Sequence, residues 1–204
     1  MNKVILKTII ITVCAFIGAL CIAFGSMCLF APGTVATVFE NTGSYSASVF
    51  FMEKQYEKDG SLNSLCRLVK ALDEYNDSNR TSKYGKILTD QRASEFEYYC
   101  ETVGKIEFGE KKYCIEYFYT KYAVAEMLNE NTAEAISVAD ECVSKCGYTA
   151  TNPYKAFIYE LNGKISKSKL ESVKTSLVLL ASAYTQYITE INKDVQTIEV
   201  ILGE

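Results

Sequence analysis

The sequence predicts an all-α protein in which an N-terminal transmembrane helix precedes a domain of helical hairpins that ends in a long C-terminal helix. Three observations support this fold class. Residues 8–30 are almost wholly apolar and carry no charge. Apolar residues beyond them recur at the helical spacing of three and four, and no segment shows the alternation of a half-buried strand. Gly and Pro residues separate these periodic segments, where helices are expected to end.

The apolar run over residues 8–30 is long enough to cross a membrane. At the helical rise of 1.5 Å per residue it spans roughly 34 Å, slightly more than a hydrocarbon core. Lys3 and Lys7 lie on its N-terminal side, whereas the next charged residue after the run is Glu40. By the positive-inside rule, residues 1–7 are expected in the cytoplasm of a plasma-membrane protein, with the rest of the chain outside.

A cleaved signal peptide is the competing interpretation, with cleavage after Ala36. An uncleaved anchor is favoured because the apolar run is longer than the apolar region of a signal peptide, which has about 7–15 residues. Lipidation at Cys21 or Cys28 is not predicted, since the large residues Leu20 and Met27 precede these cysteines.

Small residues recur on one face of the predicted transmembrane helix at spacings of four and three. This small-residue stripe consists of Cys14, Gly18, Cys21, Gly25 and Cys28. Small side chains let two helix backbones approach closely in a membrane. The stripe is therefore a candidate face for homo-oligomer formation or for docking on another membrane helix, although such residues are also common in transmembrane helices without this role.

The chain after the membrane segment is divided into a stalk and a helical domain. Residues 31–43 contain Pro32, Gly33 and Gly43 and are interpreted as a short stalk. Residues 44–204 are predicted to form one all-helical extracytoplasmic domain. Helices are expected to begin at Tyr45, after Ser61 and after Thr132, and to cover residues 80–90, 92–103, 111–129, 154–162 and 167–202.

Two turn-and-cap signals in this domain resemble each other. Asp59-Gly60-Ser61-Leu62 and Glu130-Asn131-Thr132-Ala133 lie 71 residues apart, close to two helical repeats of about 34–36 residues. Over roughly residues 44–165 the chain resembles tetratricopeptide-like helical hairpins, although it lacks the Trp, Gly and Pro marks of that family. The resemblance implies an α-solenoid that serves as a partner-binding scaffold, with no ligand specified.

The C-terminal segment carries apolar residues in heptad register, interrupted once by Asp194. These residues are Leu170, Val173, Leu177, Leu180, Tyr184, Tyr187, Ile191, Ile198 and Ile201. A two-stranded coiled coil is one interpretation. The flanking residues Ala181, Ile188, Val195 and Leu202 broaden the apolar face, which favours a helix that closes the core of the domain.

The composition excludes most hydrolytic mechanisms. The chain has no His, so it holds no Ser/His/Asp or Cys/His couple and no His-ligated metal. It also lacks a glycine-rich phosphate-binding motif, and its net charge of −4 offers no basic face for nucleic acid. We therefore predict no catalytic residues, no cofactor, no metal site and no nucleic-acid partner.

Oxygen-bearing side chains at one turn suggest calcium but do not complete a calcium loop. Asp73, Asp77, Asn79 and Thr81 lie close together in sequence, yet the Gly and the closing Glu of such a loop are missing. Calcium binding is not predicted there.

Five cysteines lie outside the predicted membrane segment, and the sequence does not fix their redox state. They are Cys66, Cys100, Cys114, Cys142 and Cys146. Cys66 and Cys100 lie on predicted core faces, so buried core thiols are expected. The only close pair, Cys142 and Cys146, is spaced i,i+4 and is not a redox CxxC motif. An exposed thiol beside Lys145 would support a reactive-thiol protein.

One predicted helix is dense in aromatic residues, notably Tyr113, Tyr117, Tyr119 and Tyr122. These side chains either fill the core or line a concave surface for a partner. The function expected from the whole sequence is a membrane-anchored scaffold for another protein or a cell-envelope component. The alternatives are an envelope enzyme or redox-active thiol protein that uses Cys, Tyr or Glu, and a structural membrane subunit that docks through its small-residue stripe.

Overall fold

The computed structural model describes residues 3–203, with side chains described from Ile5 to Gly203. These residues contain helices and connecting turns and no strand, which confirms the all-α prediction. The helices are α1 (Lys3–Phe30), α2 (Pro32–Asn41), α3 (Tyr45–Asp59), α4 (Leu62–Glu74), α5 (Ser78–Lys86), α6 (Ala93–Glu101), α7 (Lys105–Phe108), α8 (Lys111–Leu128), α9 (Thr132–Cys146), α10 (Pro153–Lys155), α11 (Lys167–Ala183) and α12 (Ile188–Leu202). Single π-helical turns extend α5 over Ile87–Gln91 and α10 over Ala156–Glu160. The predicted cytoplasmic segment falls partly outside the described residues, at positions 1 and 2.

Helix α1 contains the predicted membrane span. Its residues Ile5–Phe30 have a mean hydropathy of 2.5, and none of the most apolar stretch is buried inside the protein. A helix of 26 residues extends for about 39 Å, which is sufficient for a hydrocarbon core with tilt. Length and hydropathy together make α1 a candidate membrane span, and it is the one such helix in the described part of the chain.

The chain forms two compact units, the first ending at Gly60 and the second beginning at Ser61. In the first unit, the segment interpreted as a stalk is instead helix α2. Pro32 occupies the first turn of α2, where its missing N–H would have no helical partner in any case, so proline starts this helix and does not interrupt it. Helix α3 therefore groups with α1 and α2, and not with the remaining helices of the domain predicted over residues 44–204.

Two side chains of α3 satisfy backbone groups at the junction between α1 and α2. Lys58 Nζ donates to the carbonyl of Phe30 at 2.7 Å, which is one of the unpaired carbonyls at the C-terminus of α1. Gln55 Oε1 accepts from the N–H of Gly33 at 3.0 Å, near the start of α2. The short connection between α1 and α2 is thus held by α3.

The second unit is arranged around α8, which packs against α9 and α5 and also contacts α6, α7 and α10. Ser61 caps α4 as predicted, since its hydroxyl accepts from the N–H of Ser64 at 3.1 Å. The predicted cap Thr132 is instead the first helical residue of α9, and Asn131 is the N-cap. Helices α4 and α5, α8 and α9, and α11 and α12 form packed pairs, while the resemblance to tetratricopeptide repeats remains a prediction.

The C-terminal segment, predicted as one helix over residues 167–202, forms the two helices α11 and α12. The helix stops at Tyr184, whose backbone angles of φ −120° and ψ 67° are not helical, and a 3₁₀ turn follows. The two helices pack against each other. Their heptad residues Leu170, Val173, Leu177, Ile191 and Ile198 are buried, so this segment closes the core and its apolar face is not free for a coiled coil.

Asp194, which interrupts the heptad pattern, is buried and bonded within the core. Its carboxylate accepts from the hydroxyl of Tyr148 at 2.6 Å and forms an ion pair with Lys155. Tyr159 donates to the other carboxylate oxygen at 3.2 Å. A buried charge is tolerated when it is paired and hydrogen-bonded in this way. Asp194 therefore fastens α12 to the segment around α10.

A disulfide joins α6 to α8. It links Cys100 to Cys114 with a Cα–Cα distance of 5.4 Å, and both residues are fully buried. The residues between them include the single turn α7, which contributes no buried side chain. Cys66, Cys142 and Cys146 remain as free thiols in this unit.

Candidate functional site

The second unit carries a groove along α8 made of two adjoining cavities. The polar cavity has a volume of about 390 Å³ and the aromatic cavity about 310 Å³. Lys121 and Glu160 line both, which places the cavities side by side. We call the two together the α8 groove.

The polar cavity combines charged side chains with an apolar side. Its polar lining comes from the α4–α5 region, from Lys121 of α8 and from the segment after α10, and it consists of Asp73, Asn76, Asp77, Ser78, Thr81, Lys121, Glu160 and Lys164. Its apolar lining consists of Val124, Ala125, Leu128 and Leu161. A few polar groups converging beside an apolar surface is the arrangement expected of a ligand-binding cavity.

The hydroxyl of Thr81 is the polar group in this cavity that the fold leaves unsatisfied. Thr81 is 2% exposed, and its Oγ1 is buried without a hydrogen-bond partner among the described residues. Buried hydroxyls are normally hydrogen-bonded, because a buried group without a partner costs about 1–3 kcal/mol. The Thr81 side chain therefore lines the cavity with a buried hydroxyl that has no hydrogen-bond partner among the described residues.

Two of the other polar residues in the cavity are already engaged. Asp77 caps α5 by accepting from the N–H of Arg80 at 3.0 Å, and its second oxygen accepts from Arg80 Nε at 2.8 Å. Partial burial of Asp77 opposes the ionisation of its carboxyl group. The hydrogen bonds from Arg80 and the charge of Arg80 outweigh this effect, so the pKa of Asp77 is lowered. Asp73 forms an ion pair with Lys121 at 2.8 Å.

Lys121 lies where the two cavities meet. Its ammonium group pairs with Asp73 and also lies 5.4 Å from the ring centroid of Tyr117. The side chain is about a quarter exposed, so its charge remains accessible at the junction. A cation in this position can pair with an acidic or carbonyl group of a ligand that occupies both cavities.

The aromatic cavity is lined by one ring from the end of α7 and two rings from the N-terminal part of α8. Phe108 and Tyr117 have ring centroids 5.0 Å apart, and Tyr113, which is 45% exposed, completes the aromatic wall. Thr120 and Thr151 form the polar edge of this cavity, where the hydroxyl of Thr120 donates to the carbonyl of Thr151 at 3.2 Å.

The structure divides the four tyrosines that the sequence suggested as a partner surface. Tyr113 and Tyr117 line the aromatic cavity. Tyr119 and Tyr122 are buried, where they donate to Glu141 at 2.7 Å and to Glu134 at 2.9 Å. Assigning these last two residues to a partner surface was wrong, because an α-helix surrounded by other helices directs part of its circumference into the core.

The small-residue stripe of α1 is not covered by any other part of the described chain. Cys14 and Cys21 are exposed and Cys28 is partly exposed. A Cβ atom added at Gly18 or Gly25 would meet no atom within 4 Å. The stripe is accessible to another helix, and its role as a contact face remains a prediction.

The free thiols of the second unit differ in accessibility. Cys66 and Cys142 are buried, as expected for core thiols, whereas Cys146 is partly exposed at the end of α9. The thiol of Cys142 hydrogen-bonds to Cys146, which raises the pKa of Cys142 and lowers that of Cys146. Cys146 is thus the most accessible of the three thiols, and it donates a hydrogen bond to the carbonyl of Lys112 at 3.4 Å.

One further buried carboxyl lies near this thiol pair. Glu116 is 1% exposed; one carboxyl oxygen accepts from the hydroxyl of Thr149, while the other has no partner among the described residues. Burial raises its pKa. No cluster of three His, Cys, Asp or Glu residues suited to a metal ion occurs in the described part of the chain.

Sequence analysis identified only part of the α8 groove. It singled out Asp73, Asp77 and Thr81 as oxygen-bearing neighbours, and the structure brings these three to one cavity. It did not identify Lys121 or Glu160, because neither belongs to a motif. The available signal for Lys121 was its i,i+4 spacing from Tyr117, which places both side chains on the same face of the predicted helix.

Comparison with known proteins adds no further assignment: no protein-family model, curated protein or solved structure matches this chain.

Proposed function

We propose that this protein is a single-pass membrane protein whose second helical unit lies outside the cytoplasm and binds an extended segment of a partner protein in the α8 groove. The α8 groove, in which Lys121 joins a polar cavity to an aromatic one, is the observation that carries this proposal. The protein acts by surface complementarity and performs no bond chemistry.

The membrane anchor is supported by α1 and by the position of α2. Cleavage of a signal peptide after Ala36 would divide α2 in its middle, at a residue that is fully buried. The lysines before α1 favour a cytoplasmic N-terminus. The Cys100–Cys114 disulfide favours an oxidising compartment for the second unit, since cytosolic thiols are usually kept reduced.

The dimensions of the groove favour a short extended peptide. Fifteen helical steps separate Tyr113 from Leu128, which corresponds to about 22 Å along α8. An extended chain rises about 3.3 Å per residue, so the groove accommodates about seven residues. An apolar or aromatic side chain fits the aromatic cavity, and a backbone or side-chain polar group fits Thr81 and Lys121.

The proposal is tested by selecting binders from a library of random eight-residue peptides against the full chain in lipid nanodiscs. Selected peptides should lose about tenfold or more in affinity for Tyr117→Leu or Lys121→Met, because each variant removes an anchor of the groove. Lys193→Met is the matched control, since Lys193 is an exposed lysine of α12 outside the groove.

Equal binding of the selected peptides to the parent and both groove variants would overturn the assignment to the α8 groove. Failure to enrich any peptide that depends on the groove would overturn peptide binding. Orientation is measured separately, by adding protease to intact cells that carry the full chain with a C-terminal tag. Digestion of the tag on a full-length, membrane-bound chain is the expected result, and a protected tag would reverse the topology.

A further inference from the structure

The Cys100–Cys114 disulfide closes a loop that contributes directly to the α8 groove. The closed segment contains Phe108, which lines the aromatic cavity, and Tyr113, which lines the same cavity one residue before Cys114. The two cysteines are 14 positions apart in the sequence. The loop therefore begins and ends at the disulfide and supplies two of the three rings of the aromatic cavity.

The loop has few other attachments. Helix α7 is a single turn without a buried residue, and its Ile106 is 91% exposed. Glu107 forms an ion pair with Lys70 of α4, whose ammonium lies 5.6 Å from the ring centroid of Phe108. The side chains of Lys70 and Glu107 are 22% and 51% exposed, and an ion pair in contact with solvent contributes little to stability. Phe108 is the main apolar anchor, with ring centroids 5.0 Å from Tyr117 and 5.7 Å from Phe118.

The disulfide also fixes the close packing at the start of the loop. A Cβ atom at Gly104 would lie 2.7 Å from the sulfur of Cys114 and 3.1 Å from the Cα of Cys100. The backbone of the loop thus lies directly against the two linked residues. Closing a loop of this length reduces the conformational freedom that the open segment would otherwise have.

We propose that the Cys100–Cys114 disulfide controls the α8 groove: the aromatic cavity is assembled when the disulfide is present and lost when it is reduced. This inference rests on the proposed function, because it assigns a redox condition to that site. Reduction by a dithiol transfers two electrons and two protons to the disulfide, which yields two thiols while the dithiol becomes a disulfide. Partner binding is then restricted to chains that have reached an oxidising compartment.

The test uses the absence of Trp from the sequence. A Phe108→Trp substitution introduces a single fluorescent reporter into the aromatic cavity of the full chain in nanodiscs. Its emission is compared with and without the paired substitutions Cys100→Ser and Cys114→Ser, which remove the disulfide irrespective of its access to reductant. We expect a shift of the emission to longer wavelength in the variant without the disulfide, because the ring becomes hydrated.

A second reporter separates opening of the loop from general unfolding. Phe157→Trp places the same fluorophore at a fully buried core position that contacts Tyr154 and lies outside the groove. Its emission should be unchanged on removal of the disulfide. Two results overturn the inference. One is unchanged emission at position 108. The other is an equal shift at both positions, which would mean that the disulfide stabilises the whole core and does not act on the loop alone.

Failure of this inference differs from failure of the proposed function. The fluorescence readout needs no partner, so it reports assembly of the cavity even if no peptide is selected. Where groove-dependent peptides exist, their affinity should fall about tenfold when the disulfide is removed, as expected for the loss of an aromatic anchor. Undiminished affinity in the variant without the disulfide would contradict redox control while leaving peptide binding in the groove intact.

Discussion

Helix α1 is strongly apolar but exposed, whereas helix α8 is mixed in composition but largely buried. Helix α1 has a mean hydropathy of 2.5 over its apolar span, yet none of the most apolar stretch is buried within the protein. Helix α8 contains charged residues and four tyrosines, yet eleven of its eighteen residues are buried. The most apolar stretch of α1 is not packed against the described protein, whereas α8 lies at the centre of the second unit.

This contrast shows that hydropathy and packing carry different information. The exposed apolar surface of α1 is unfavourable in water and would be favourable in lipid, so its composition makes α1 a candidate membrane span. The aromatic residues of α8 can be buried because their hydroxyls reach carboxylates on a neighbouring helix, as Tyr119 reaches Glu141 and Tyr122 reaches Glu134. Burial of α8 thus depends on specific neighbours, which composition does not reveal.

The largest effect is expected in the packed helix. Phe118→Ala removes a fully buried ring that lies 5.6 Å from Phe96 and 5.1 Å from Tyr117 between ring centroids. The substitution should lower the free energy of unfolding of the second unit by about 3–5 kcal/mol, through lost burial and the cavity left behind. Chemical denaturation followed by near-ultraviolet circular dichroism measures this change.

Tyr98→Ala is the control for Phe118→Ala, because Tyr98 is 68% exposed and its truncation should cost less than about 1 kcal/mol. Equal losses for the two variants would contradict the central position of α8 in the core.

A charge in the apolar helix should have the next largest effect. Ala19→Arg places a guanidinium near the middle of α1, where transfer into the bilayer costs about 2.5–3.5 kcal/mol more than for an apolar residue. The fraction of chain recovered in carbonate-washed membranes should fall. Ala19→Leu adds bulk without charge and should insert normally. An unchanged fraction of Ala19→Arg in carbonate-washed membranes would contradict the interpretation of α1 as a membrane span.

Helix positions were largely predictable from the sequence, whereas one interruption, at Tyr184, and one helix start, at Pro32, were not. The apolar spacing predicted α8 over 111–129 and the structure has it over Lys111–Leu128. The break at Tyr184 was missed because the heptad pattern continues across it without Gly or Pro. Pro32 was taken as a helix breaker although proline is well suited to the first turn of a helix.

The candidate site was less predictable because its residues come from distant segments. Asp73, Lys121 and Glu160 meet only through the packing of α8 against its neighbours, and no local spacing encodes that packing. The Cys100–Cys114 pairing was missed for a similar reason. The sequence does not reveal that the turn through α7 brings the start of α8 back beside the end of α6.

Alkaline pH should weaken the packed unit through its buried hydroxyl and thiol groups. Burial raises the pKa of Cys66 to about 12 and that of Tyr99 to about 12, and it also raises the pKa of Tyr119 and Tyr154. Above about pH 9–10 the unfolded chain loses these protons while the folded chain keeps them. The free energy of unfolding should therefore fall as pH rises from about 9 to 12.

The expected loss by pH 11 is about 1 kcal/mol for each tyrosine and about 2–3 kcal/mol for Cys66, measured by denaturant titration at fixed ionic strength. Tyr99→Phe removes one titrating hydroxyl and should reduce the slope with pH. Tyr75→Phe is its control, since Tyr75 is 43% exposed. A stability that stays constant between pH 8 and 11 would contradict burial of these groups.

The smallest expected effect concerns whether α1 contacts only lipid. Gly18→Leu with Gly25→Leu fills the small-residue stripe, where an added Cβ meets nothing in the described chain. If another α1 or a partner helix occupies this face, the bulk prevents close approach and association should weaken by about 1 kcal/mol, or roughly fivefold. Energy transfer between labelled chains in nanodiscs measures self-association, and Ala23→Leu on the opposite face is the control.

Weaker association of the stripe variant alone would show that α1, like α8, uses one face for protein contact, since lipid alone would not distinguish the two faces. Equal association of the parent chain, the stripe variant and Ala23→Leu would contradict protein contact at the stripe. In that case α1 would differ fully from α8, because only lipid would surround it.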